Sequence, residues 1–281
     1  MIENSFCHIP GIGSKTENAL WQAGFLSWRA VCADPLGMPG GRRRDLVSRY
    51  CRESIEQLAA GNAAYFYELL PSSETWRMFP EFENWAAYVD IETTGLGGDG
   101  DYITTIALYD GLDVYTFVRG DNLDEFADFI ARYRLLVTFN GKTFDVPFLR
   151  RHLGLPMDQA HIDLRYVMAG LGQRGGLKAI EKRLGLDRKD LADVDGYFAV
   201  LLWHDYRRNG NLRALETLLA YNVADVINLA SIMPLAYNMK LMNTPFGASR
   251  RLPPAAVAEN PFKADRETIE RLAAFAHPGN T

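Results

Sequence analysis

The sequence predicts an α/β protein: a mixed five-stranded sheet flanked by helices, with a small helical domain ahead of it. Two observations predict this. Apolar residues recur at helical spacing up to about residue 70, then change near residue 86 to short β-type runs. The first three runs are joined by tight turns such as "YDGLD" (109–113), and the later ones alternate with helical stretches.

Taken in order, "SKTENALWQAGF" sets Ala19, Leu20, Ala23 and Gly24 at helical spacing, and "RRRDLVSRYCRESIEQLAAG" continues with Leu46, Val47, Tyr50, Cys51, Ile55 and Leu58 before stopping at Gly61. Two prolines and a serine pair make "LPSSETWRMFPEFENW" (70–85) an expected linker. Strands are expected at 86–91, 102–109, 114–118, 135–139 and 161–164, with helices at 123–133 and over "VPFLRRHLG". From about 176 the chain reads as mostly helical, ending in a long helix at 212–238. The tail "NTPFGASRRLPPAAVAENPF" is expected as a linker, and "DRETIERLAAFA" as a short amphipathic helix. The expected division is a helical domain at 1–80, a catalytic-sized domain at 81–240, and a linker with a C-terminal helix at 241–281.

Composition narrows the classes. With 48% hydrophobic and 23% charged residues, the chain is neither collagenous, coiled-coil nor broadly disordered. No run of about 18 apolar residues occurs, and "MIENSFCHIP" lacks a basic-then-apolar signal, so a cytoplasmic protein with no membrane partner is expected. Cys7, Cys32 and Cys51 form no C-x-x-C pair and are expected as free thiols. His8, His152, His161, His204 and His277 show no metal-binding spacing. The net charge of −5 argues against a protein that coats nucleic acid, yet leaves room for a nuclease, whose site gathers acids around metal ions. Basic clusters at 42–44, 150–151, 178–183, 207–208 and 250–251 read as solvated helix faces.

The acids carry the chemistry. In "YVDIETTGL" (88–96), Asp90 and Glu92 sit two apart on a strand, so both project to one face while Val89 and Ile91 face the other. Two like charges so placed need a cation or a shared proton. Asp145 opens the helix after "LLVTFNGKTFD", where an ordinary helix-start role is the alternative. The "GKT" there is not a phosphate loop, because position 136 is Leu where that motif needs Gly. In "LLAYNVADVINLA" (218–230), Tyr221 and Asp225 share a helix face and could simply hydrogen-bond each other.

Together, "DIETTGL", "NGKTFD" and "YNVAD" resemble the three motifs of the DEDD 3′–5′ exonucleases in their tyrosine subclass, in order, over about residues 84 to 240. More narrowly, "FNGKTFDVPFLRRHL", "HIDLRY", "GGLKAIEKRLGL" and "LLAYNVADVINL" resemble the YprB-type ribonuclease-H-like branch. The resemblance implies an RNase H-like fold. It also implies two divalent ions, Mg²⁺ or Mn²⁺, held by Asp90, Glu92, Asp145 and Asp225, with Tyr221 orienting the attacking water. Asn140 and Lys142 are placed to touch a phosphate or the terminal nucleotide, a solvent-exposed loop being the alternative. Asp163 is expected to cap the helix that follows it.

"HIPGIGSKTENALWQAGF" (8–25) resembles the hairpin and second helix of a helix-hairpin-helix element, with Gly11 and Gly13 in the tight turn and Lys15 in the first helical turn against a phosphate. Only ten residues precede the hairpin, too few for a full first helix. A glycine turn that starts a structural helix is the alternative; the phosphate-binding reading tilts the expected substrate towards DNA rather than RNA. The leading expectation is therefore a metal-dependent 3′–5′ exonuclease on DNA. An endonuclease on RNA or an RNA–DNA hybrid, and an inactive nucleic-acid-binding adaptor, are the alternatives, and the sequence leaves protein partners open.

Overall fold

The computed structural model describes residues 1–276 apart from 40, 187 and 257; His277 lies outside the described residues. After a 3₁₀ turn at Ile2–Asn4 come α1 (Ser14–Gln22), α2 (Trp28–Ala33), α3 (Arg44–Ala59) and α4 (Ala63–Leu69). Ser27 and Asn62 cap α2 and α4, accepting from Ala30 N and Tyr65 N at 3.2 Å each.

The stretch at 70–85, expected as a linker, folds as a 3₁₀ helix at Ser72–Met78, a single turn α5 (Phe79–Phe82) and a 3₁₀ turn at Glu83–Trp85. Trp76, Met78, Phe79 and Phe82 are each no more than 2% exposed. Burying four such side chains, each contributing roughly 1.5–3 kcal/mol, outweighs the turn preference of the neighbouring prolines and serines.

The sheet contains β1 (Ala86–Thr93), β2 (Ile103–Tyr109) and β3 (Val114–Val118). A 3₁₀ turn at Leu123–Glu125 and the short α6 (Phe126–Ile130) then stand where one continuous helix was expected. They lead to β4 (Leu135–Thr138), α7 (Asp145–Leu153), β5 (Ala160–Asp163) and α8 (Leu164–Ala169). The order is β3-β2-β1-β4-β5. The first three strands are antiparallel neighbours, whereas β1, β4 and β5 run parallel. The mixed five-stranded sheet and its flanking helices are thus as expected.

α9 (Leu177–Leu184), α10 (Gly196–Asn209), α11 (Leu212–Leu241) and α12 (Arg266–Ala276) complete the chain. Strand alternation splits β1 between two layers. Ala87, Val89 and Ile91 join Phe126, Ile130 and Leu149 on the α6–α7 side, while Ala86 and Tyr88 join Val226, Leu229 and Ile232 of α11. By length and composition α11 could cross a membrane, but 78% of its most apolar stretch is buried inside the fold. It is the core helix that lies across β1 and β2.

The same apolar core continues into the N-terminal helices. Trp28 stacks on Phe66 with centroids 5.6 Å apart, and Trp76 meets Tyr237 of α11 edge-on at 5.4 Å. Trp21, Phe25 and Trp28 are therefore core residues. Past α11, Asn260 Nδ2 donates to Ala220 O at 2.7 Å and Asp265 N to Thr217 Oγ1 at 2.9 Å, strapping the C-terminal segment across that helix. Cys7, Cys32 and Cys51 are free.

Candidate metal centre

β1, α7 and α11 meet at four acids. The pairing of β1 with β2 shifts register between Glu92 and Thr93, a bulge of the kind that re-aims side chains beside functional sites. Asn222 of α11 donates from Nδ2 to Asp90 Oδ2 at 2.7 Å and to Asp90 O at 3.2 Å. Its own Oδ1 accepts from Thr105 Oγ1 at 3.1 Å. One oxygen from each of Asp90, Glu92 and Asp225 lies within 4.8 Å of the others.

Asp145 joins from α7. The helix cap position is Phe144, and Asp145, the first helical residue, turns its side chain to the sheet, where Oδ1 accepts from Ile91 N at 3.3 Å. Tyr221 stands one turn before Asp225 and is 6% exposed. No hydrogen bond joins the two among the described residues, so mutual satisfaction does not account for them.

Electrostatics set this cluster apart. Burial, then Asp225, Asp145 and Glu92, push the Asp90 carboxyl well above the usual range, with Asn222 opposing. Burial, then Asp225 and Asp145, do likewise to Glu92, with Arg188 opposing. Burial pushes Asp145 up to about 7, with Asp163 and Asp225 adding to it and the Ile91 N–H opposing. Burial also raises Asp225 to about 6, held there by the opposing pull of Arg188. Without a cation the acids share protons instead. An all-oxygen, carboxylate-rich, largely buried donor set fits a hard divalent cation. Burial, followed by Asp225 and Glu92, moves the Tyr221 phenol further up, so it stays protonated and acts as a donor.

A loop closes the β4 end of the site. Asn140 has a left-handed backbone, φ 71°, and a Cβ at Gly141 would lie 2.3 Å from Thr138 Oγ1, which explains the "NG" pair. Asp163 caps α8 through Arg165 N at 3.1 Å, as expected, and also accepts from Asn140 N at 2.8 Å and Lys142 N at 3.0 Å. The Asn140 side chain is engaged by Thr143 Oγ1 at 2.8 Å and by Arg165. Lys142 is turned towards the N-terminal helices, its Nζ 5.3 Å from the Tyr67 ring centroid.

Gly11 adopts φ 79° and Gly13 holds the N-cap position of α1. Only the 3₁₀ turn at Ile2–Asn4 precedes the hairpin, so no full first helix exists among the described residues. Arg43 Nη1 donates to Gly11 O at 2.9 Å, and Lys15 is exposed. No hydrogen bond or ion pair among the described residues ties Gly11, Gly13 or Lys15 to the acids.

Three neighbours escaped sequence reasoning. Asn222 sits inside "YNVAD", three residues before Asp225, and helical spacing could have pointed to it. Glu181 lies in a run expected as a solvated basic face, yet it is 1% exposed. Arg188, whose Nη2 lies 2.5 Å from Asp225 Oδ1, comes from an aperiodic segment that carries no signal.

The family model RNase_H_2, described as RNase_H superfamily, matches residues 87–237, more than half of the chain. The protein named "Uncharacterized protein YprB" from Bacillus subtilis (strain 168) is 31% identical over 169 residues, which is 52% of this chain and 40% of that protein. The chain thus spans less than half the length of that relative. Among solved structures, the family B DNA polymerase from the hyperthermophilic archaeon Pyrobaculum calidifontis is similar over 56% of this chain and 29% of that one, at 16% identity and a TM-score of 0.37.

Proposed function

The chain belongs to the RNase_H superfamily, and from that premise we propose that it is a metal-dependent nuclease, acting as a 3′–5′ exonuclease on DNA. One observation carries the proposal. Oxygens of Asp90, Glu92 and Asp225 converge within 4.8 Å in a largely buried setting, and Arg188 beside Asp225 offsets only part of their charge. Asp90, Glu92, Asp145 and Asp225 would hold two divalent ions, Mg²⁺ or Mn²⁺. When bound, such a pair supplies an activated water and neutralises charge on the phosphodiester.

The chain's own residues do the rest. Asn222 fixes the Asp90 carboxylate through Oδ2, leaving its other oxygen for a ligand. The Ile91 N–H orients Asp145. Tyr221, kept protonated by burial, donates to and orients the attacking water rather than removing its proton. Asp163 holds the Asn140–Lys142 turn through two backbone N–H groups, presenting the Asn140 amide to the terminal nucleotide. Lys142 would have to swing from Tyr67 to reach a phosphate. The Gly11–Lys15 turn would grip the DNA backbone away from the acids.

The test uses end-labelled single- and double-stranded DNA and RNA with Mg²⁺, Mn²⁺ or EDTA, alongside an Asp90→Ala, Asp225→Ala variant. A metal-dependent ladder shortening from the 3′ end of DNA, lost in the variant, is expected. Internal cuts in RNA or a hybrid would transfer the site to the endonuclease alternative. Binding without cleavage under every condition would leave an adaptor.

A further inference from the structure

One cation is already built into this acidic site. Arg188 follows α9, and its side chain is 5% exposed. Glu181, itself 1% exposed, grips the guanidinium in a fork, accepting from Nε at 2.5 Å and from Nη2 at 2.7 Å. Asn228 Nδ2 completes the shell of Glu181 at 2.8 Å. From that clamp Arg188 Nη2 reaches to 2.5 Å from Asp225 Oδ1, and the guanidinium carbon lies 5.4 Å from the Tyr221 ring centroid. Nη1 is buried and has no hydrogen-bond partner among the described residues. An arginine placed for its own satisfaction would not leave a buried N–H idle, since that costs stability. Its position is explained by the charge on Asp225.

We propose that Arg188 is a resident counter-cation that competes with the divalent ion for Asp225, and so sets how tightly the ion is held. The inference rests on the metal-ion reading given above and extends it to a residue outside the four acids. Asp225 is one of the three converging carboxylates, so any ion bound there sits within a few ångströms of the guanidinium. Repulsion between the two cations lowers the affinity. Glu181 has the opposite effect. By holding Nε and Nη2 it keeps the guanidinium from turning wholly onto Asp225, and its negative charge offsets part of the repulsion. Lys178, a second nearby cation among the described residues, also pulls on Asp225, but its Nζ is tied to backbone, donating to Ala192 O at 3.2 Å and to Val194 O. The balance lies between Arg188 and Glu181.

A merely structural arginine makes the contrary prediction: removing it would loosen Asp225 and weaken ion binding. Calorimetric titration of Mn²⁺ into the 281-residue chain, above neutral pH, separates the two. Arg188→Gln is expected to tighten Mn²⁺ binding roughly tenfold or more, and Glu181→Gln to weaken it by a similar factor. The double variant Glu181→Gln, Arg188→Gln replaces the ion pair with two amides of similar size, and is expected to bind more tightly than Glu181→Gln alone and than the wild type. If Arg188→Gln does not fold by circular dichroism, the double variant decides on the same criterion. Unchanged or weaker binding in the folded variant that lacks Arg188 overturns the inference. Absence of Mn²⁺ binding by the wild type and all variants overturns instead the metal reading beneath it.

Discussion

Two of the regions that bury carboxylates in this molecule treat them in opposite ways. In the N-terminal helices, Glu17 is 1% exposed and fully partnered. Its Oε1 accepts from Phe6 N at 2.6 Å and Cys7 N at 3.1 Å, and Arg77 Nη1 bridges Oε1 and Oε2 at 2.8 and 2.9 Å. Arg77 in turn bonds Ser5 Oγ at 2.8 Å and Glu74 Oε2 at 2.7 Å. Between β1 and α11, Asp90 has only the Asn222 amide, Asp145 only a long bond from Ile91 N, and Glu92 no hydrogen bond among the described residues. A carboxylate that folding completes is structural. One that folding brings inside and leaves open is waiting for a ligand.

The contrast predicts that the two clusters fail differently. Asp90→Ala or Asp225→Ala should lower nuclease turnover on the order of a thousandfold or more; Asp90→Ala, which relieves like-charge crowding without breaking an ion pair, should do so with no loss of folding stability. Arg77→Met should do the reverse. It strands Glu17 and should cost about 3–5 kcal/mol in urea unfolding, while metal-dependent cleavage by the protein that remains folded stays at the wild-type level. A variant from either cluster that behaves like the other would remove the distinction.

Acidity sharpens it. Asp145 and Asp225 are raised to about 7 and about 6 in the fold, against roughly 4 for an unfolded aspartate. The stability contributed by their bound protons is fully present below about pH 4 and is lost as pH rises through those raised values. A bound cation replaces the protons, so the increase in Tm caused by Mn²⁺ should grow from acid to neutral pH, by about 2–4 °C for each kcal/mol regained. A metal-induced shift independent of pH across that window would contradict the assignment. The smallest effect is expected at Asn222→Ala, which frees Asp90 to rotate. Metal affinity or turnover should fall about 10–100-fold with the acids intact.

Much of this contrast is legible in the residues themselves. Strand alternation alone places Asp90 and Glu92 opposite Val89 and Ile91, and helical spacing places Tyr221 and Asp225 together. These follow local periodicity, which the chain obeys. The 70–85 stretch was not legible, because its prolines and serines advertise turns while its aromatic residues are spent on tertiary burial against α11. Nor was Glu181, whose neighbours are basic and whose burial depends on Arg188 seven residues later. Lys142 shows the same limit, since its backbone position follows from the turn but its ammonium answers to Tyr67 in another part of the fold. Pairings made across the fold by single long side chains leave no periodic trace.

The most direct measurement is anomalous diffraction from a crystal of the wild-type protein soaked in Mn²⁺. A peak bounded by Asp90, Glu92 and Asp225 is the predicted result, and it should vanish in Asp90→Ala. A crystal that takes up Mn²⁺ elsewhere, or leaves these carboxylates unliganded at saturating ion, would contradict the claim that folding leaves this cluster open for a metal.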